Sequence, residues 1–165
     1  MSMRPRESLA QAVANKTLGV LLLGRYFRSG IGGPYDMPCI RSSITAQHEA
    51  TTAWVHHVLE PLEARGAKVR VFYAATRCAN PAVGKKLRRL INTWLKPRAP
   101  TSWIVDSASI DDHWAQVYAG LARRGGDELD FVLHGRHDFA VTMPIDRWPV
   151  RPGWNSMLFE QYCRL

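Results

Sequence analysis

Blocks of apolar residues alternate with amphipathic stretches along this chain. Leu18-Gly19-Val20-Leu21-Leu22-Leu23 is almost wholly apolar and stops at Gly24. A run this short, bounded by glycine, predicts a strand buried on both faces, as in a parallel sheet. The next segment carries Gly30, Gly32, Gly33 and Pro34 and reads as a loop. Ser42 and Ser43 offer N-caps to a helix expected over Ile44 to Arg65. Ala50, Ala53, Trp54, Val58 and Leu62 fall at three- and four-residue spacing and form its apolar stripe. Pro61 lacks a backbone donor and predicts a kink near Leu59. Gly66 suits the position just past the helix end.

The pattern then repeats. Val69 to Ala74 is rich in β-branched and aromatic residues and predicts a second strand. Asn80 and Pro81 open a helix over Ala82 to Leu95. Trp103 to Asp106 predicts a third strand, and Ser107 or Ser109 caps a third helix. Trp114, Val117, Tyr118 and Leu121 form the buried stripe expected of that helix, which Gly125-Gly126 ends. Leu129 to Leu133 is the fourth strand. Strands alternating with helices predict an α/β three-layer sandwich around a mostly parallel, Rossmann-like sheet. The polar, basic first 17 residues read as a flexible arm, and residues 18–165 as one domain.

Composition narrows the classes. Six Trp, five Tyr and five Phe exclude a disordered chain. Three cysteines without Cys-x-x-Cys spacing exclude a disulfide scaffold and make free thiols the default. The longest apolar run falls far short of the roughly 20 residues of a membrane span, and no signal peptide is evident, so a cytoplasmic location is the default. A formal charge of +8 favours an anionic partner: a phosphate, a nucleotide or nucleic acid. No Gly-x-Ser-x-Gly elbow supports a serine hydrolase.

Candidate chemistry gathers after the strands. Arg25 and Arg28 follow the first strand, at the carboxyl end where α/β sheets bind ligands. The fourth strand delivers His134-Gly135-Arg136-His137-Asp138. Arg136 and Asp138 are two apart and share one side of an extended chain. Asp138 is a candidate ligand for Mg²⁺ or Mn²⁺ bridging a diphosphate, with Arg136 on a phosphate oxygen. The alternative is an Arg–Asp pair tying the strand end to its neighbour. His134 and His137 flank the same end, either as metal ligands or as ordinary hydrogen-bonded histidines. On the second helix Lys85, Lys86, Arg88, Arg89 and Lys96, with Trp94 among them, form either a solvated face or a grip for RNA or another polyanion.

The chain resembles the nucleotide-binding half of GT-A-type glycosyltransferases. The resemblance rests on four segments in order: Leu21-Leu22-Leu23-Gly24-Arg25-Tyr26-Phe27-Arg28, Leu59-Glu60-Pro61-Leu62-Glu63, Val69-Arg70-Val71-Phe72, and Asp130 to Asp138. It implies a GT-A fold, a nucleotide-sugar donor and transfer of a glycosyl group to an acceptor. It places Arg25, Arg28 and Arg136 at the donor diphosphate and Asp138 on Mn²⁺ or Mg²⁺. The family's acidic pair is Asp-x-Asp, and here only Asp138 matches its second position. Only 27 residues follow Asp138, too few for the acceptor half the family implies. The expectation is a truncated, degenerate or partner-dependent chain. No catalytic base is assigned; Asp146 and Glu160 are carboxylates placed only by position.

Overall fold

The computed structural model describes residues 8–24, 44–76, 80–96, 98, 100–105, 110–137, 140–148 and 163–164. The elements in chain order are α1 (Leu9–Ala12), β1 (Thr17–Gly24), α2 (Ile44–Trp54), a π-helical turn (Val55–Leu59), α3 (Glu60–Ala64), β2 (Lys68–Thr76), α4 (Pro81–Trp94), β3 (Thr101–Val105), α5 (Ile110–Ala122), a 3-10 turn (Gly126–Glu128), β4 (Phe131–Arg136), β5 (Ala140–Val141), a second 3-10 turn (Ile145–Arg147) and β6 (Cys163–Arg164). Four strands form a sheet in the order β3-β2-β1-β4, and each of its pairings is parallel. β5 and β6 form a separate antiparallel pair. The α/β class expected from the alternation is therefore the class observed.

Side chains of a strand alternate between faces, and β1 and β2 use the alternation fully. Val20 and Leu22 lie with Val71, Tyr73 and Ala75 in one cluster, under Trp54, Val58, Leu59, Leu62, Ile91 and Leu95. Leu21 and Leu23 lie with Phe72 and Ala74 in another, under Val117 and Leu121 of α5. Helices thus cover the central strands on both sides. This is why β1 reads as a continuous apolar run rather than an alternating one.

Local signals explain the helix ends. Asn80 Oδ1 accepts from the backbone N–H groups of Ala82 (3.0 Å) and Val83 (3.3 Å), with Pro81 at the first helical position. Gly66 takes φ +83° just past α3, where the Gly66 N–H reaches Glu63 O and the Ala67 N–H reaches Leu62 O. Pro61 acts differently from a simple kink. Its ring crowds the carbonyl four residues back. The helix answers by widening: the Glu60 N–H bonds Val55 O, and Val55–Leu59 forms the π turn.

Residues 8–16, assigned by composition to the arm, are packed. Ser8 caps α1 in a capping box with Gln11, and Leu9, Ala10 and Val13 are buried in the core. The Leu9 N–H donates to Trp148 O at 2.9 Å. Three small apolar residues in a polar stretch suffice once Trp148 and Ile145 supply a surface for them. Among the described residues no helix is long and apolar enough to cross a membrane.

Candidate ligand-binding site

In the order β3-β2-β1-β4 the chain moves outward from β1 through β2 to β3, then returns to β1's other side. The direction of winding reverses between β1 and β4. Open α/β sheets bind ligands in the crevice above such a reversal, at the carboxyl ends of the strands. Here those ends are Gly24 of β1 and Arg136 of β4, with Leu23 in register with Arg136. The His137 N–H donates to Leu23 O at 3.1 Å and carries the ladder one residue further.

Arg136 is exposed at this end. Its backbone carbonyl accepts from Trp54 Nε1 at 3.0 Å, so the buried indole of α2 fixes the strand end. Arg25, Arg28 and Asp138 lie outside the described residues, as does Glu160. The first and fourth apolar runs are neighbours, as a shared pocket requires.

The two strand-end histidines part company. His137 is buried and faces α2. Gln47 Nε2 donates to His137 O at 2.6 Å, and His137 Nδ1 meets Gln47 Oε1 at 3.2 Å. That pairing places the proton on Nδ1, because an amide oxygen only accepts. The ring stacks on Tyr73 at 4.6 Å, and Thr51 Oγ1 donates to Gln47 O at 2.8 Å. His134 points to the other side, among Trp114 and Tyr118 of α5. The two rings therefore share no ligand. Among the described residues no cluster of three or more His, Cys, Asp or Glu side chains is placed to hold a metal.

Other sequence candidates sit elsewhere. Asp130 Oδ2 accepts from the Thr17 N–H at 2.7 Å, at the amino end of β1, away from the crevice. Asp146 lies 3.5 Å from Arg65, whose segment leads into the start of β2, so it too is at the wrong end for chemistry above Arg136. On α4, Lys85, Lys86 and Arg89 are exposed, as is Lys96 just past its end, while Trp94 is half-buried and meets the His48 ring at 4.8 Å with the planes tilted by 46°.

One expectation is corrected. Trp114 and Tyr118 do not belong to the buried stripe of α5: they are 38% and 49% exposed, while Val117 and Leu121 are buried. Successive residues turn by about 100°, so Trp114 and Tyr118 occupy one margin of the stripe and Val117 and Gly120 the other. Gly120 lets the Trp103 ring press directly onto α5, and that contact sets the inward side. Trp114 and Tyr118 instead stack on each other at 6.0 Å; the His134 ring stacks on Trp114 at 6.4 Å and meets Tyr118 at 5.6 Å, tilted. Burial pushes the His134 imidazole below its ordinary pKa. His113, edge-on to Trp114, is lowered by burial and partly restored by Asp112.

Comparison with protein-family models, with curated proteins and with solved structures gives no match for this chain.

Proposed function

We propose that this chain is a GT-A-like, three-layer α/β domain that binds the diphosphate of a nucleotide-sugar above β1 and β4 and takes part in glycosyl transfer. The observation that carries the reading is the winding reversal, with Arg136 exposed beside the end of β1. A guanidinium fork matches the geometry of phosphate oxygens. Arg25 and Arg28 follow β1 directly in sequence and supply further cations, and Asp138 follows β4 and would hold Mn²⁺ or Mg²⁺. Together they would neutralise the charge that grows on the leaving nucleotide. Calorimetry with a panel of nucleoside diphosphates, with and without Mn²⁺, tests this. Binding is expected to need the metal and to vanish in Asp138→Ala. No heat with any diphosphate removes the proposal.

A second reading rests on α4 and the turn that follows it, where exposed Lys85, Lys86, Arg89 and Lys96 favour RNA or another polyanion. Its mark is affinity that falls steeply with salt and is lost in Lys85→Glu/Lys86→Glu.

A further inference from the structure

Two rings on α5 are large apolar groups that the core leaves in water. Trp114 and Tyr118 are the large hydrophobic residues exposed among the described residues. A whole aromatic side chain covers about 150–250 Å². At 38% and 49% exposure the two leave roughly 200 Å² uncovered. A stable protein interface needs about 800 Å² from each partner. Among the described residues the patch falls short of a second protein's footprint and matches one or two rings of a small molecule.

Its shape and charge narrow the ligand. The planes of Trp114 and Tyr118 differ by 27°, of Trp114 and His134 by 23°, and of Tyr118 and His134 by 42°. The surface is faceted rather than flat, so it suits puckered rings better than a single planar base. Ile110–Ala122 contains Asp111 and Asp112 and neither Lys nor Arg. The exposed cations of α4 cover the opposite face of the sheet, because Ile91 and Leu95 pack in the other core cluster. The α4 cations thus lie away from the α5 rings.

We propose that Trp114, Tyr118 and His134 form a platform for a neutral saccharide, whose C–H faces stack on the rings. The negative face of an aromatic ring attracts the weakly positive C–H groups of a sugar, and burying that face removes apolar surface from water. His134 contributes a third ring on the strand itself, and Arg136, two residues on, lies on the same side of β4 at the crevice. Within the nucleotide-sugar reading this saccharide is the acceptor. That role rests on the reading, whereas the stacking needs no donor.

The test uses the full chain and four neutral probes: maltohexaose, cellohexaose, xylohexaose and N-acetylchitohexaose. Binding is followed by tryptophan fluorescence and by saturation-transfer NMR. At least one probe is expected to saturate, with affinity about tenfold weaker in Trp114→Ala and in Tyr118→Ala. Trp114→Phe should recover most of it, and Lys85→Glu/Lys86→Glu should leave it unchanged. Circular dichroism checks that each variant folds. No saturation by any probe up to about 20 mM overturns the proposal. So does a uridine oligonucleotide binding at the rings in place of sugar, or a dimer in sedimentation that Trp114→Ala dissolves. Nucleotide calorimetry is read separately: saccharide binding without nucleotide binding sinks the donor site alone, and the reverse sinks the platform alone.

Discussion

Gly135 on β4 and Gly120 on α5 each have a tryptophan ring pressed against them, on opposite faces of the sheet. The Trp54 ring at Gly135 is fully buried, and its indole N–H is held by Arg136 O. The Trp103 ring at Gly120 keeps 8% of its surface, and its buried indole nitrogen has no hydrogen-bond partner among the described residues. The Arg124 guanidinium lies over it at 5.0 Å. One face is thus fastened at the carboxyl end of β4 by polar bonds, through Trp54, Gln47 and His137; on the other, Arg70 donates to Arg124 O (2.9 Å) and Gly125 O (3.1 Å) past the end of α5, while the contact at Gly120 itself is ring packing. A fastened face can hold the crevice still, and a packed face can leave rings at its margin to meet a ligand.

The sharpest way to break this contrast is at Trp54. Trp54→Ala should cost about 4 kcal/mol in urea unfolding, from the lost ring and the cavity it leaves. A cost below about 1 kcal/mol would mean that α2 does not fasten β4.

The paired glycines come next. A methyl at either position overlaps a tryptophan ring. Gly135→Ala should cost about 3 kcal/mol, because neither the Trp54 indole nor the β4 backbone can give way without losing the bond between them. Gly120→Ala should cost only about 1 kcal/mol, since Trp103 has no such bond and alanine gains helix propensity over glycine. Equal costs in chemical denaturation would erase the difference between the faces.

Gln47→Ala is the milder cut on the fastened side. It removes the bonds from Gln47 to the buried His137 carbonyl and Nδ1 and should cost about 2 kcal/mol. Trp114→Ala on the other side should cost less than about 1 kcal/mol, because much of that ring already lies in water.

Much of this contrast is legible in the residues themselves. The unbroken Leu18–Leu23 run announces a strand covered on both sides, and Asn80-Pro81 and Gly66 mark helix ends by their own chemistry. Which margin of the α5 stripe turns inward is not legible, because Trp103 decides it from another strand across the sheet. The packing of α1 depends likewise on Trp148, far along the chain. Pro61 signals a disturbance, but whether the helix kinks or widens depends on the core that Val58, Leu59 and Leu62 must reach. Of the four residues proposed for the crevice, Arg136 alone is among the described residues, and the β1–β4 pairing supports the other three.

The smallest expected effect is the most specific to the packed face. Burial depresses the His134 pKa, so the folded chain resists the proton that the unfolded chain accepts near the ordinary value of 6.5. Above that value both forms are neutral and the full stability is present. As pH falls below it the unfolded chain binds more protons, and stability declines until the folded form is protonated as well. The groups packed on the ring are the neutral Trp114 and Tyr118 side chains, which offer an imidazolium no carboxylate. His113 is shifted in the same direction and adds a parallel background. His134→Phe keeps a ring in place and removes the proton. Between pH 7.5 and 5.5 the urea midpoint of the native chain should fall further than that of His134→Phe, and His113→Phe separates the background. If the native chain and His134→Phe lose stability in parallel, the histidine is not desolvated by these rings, and the platform is more open to water than its stacking implies.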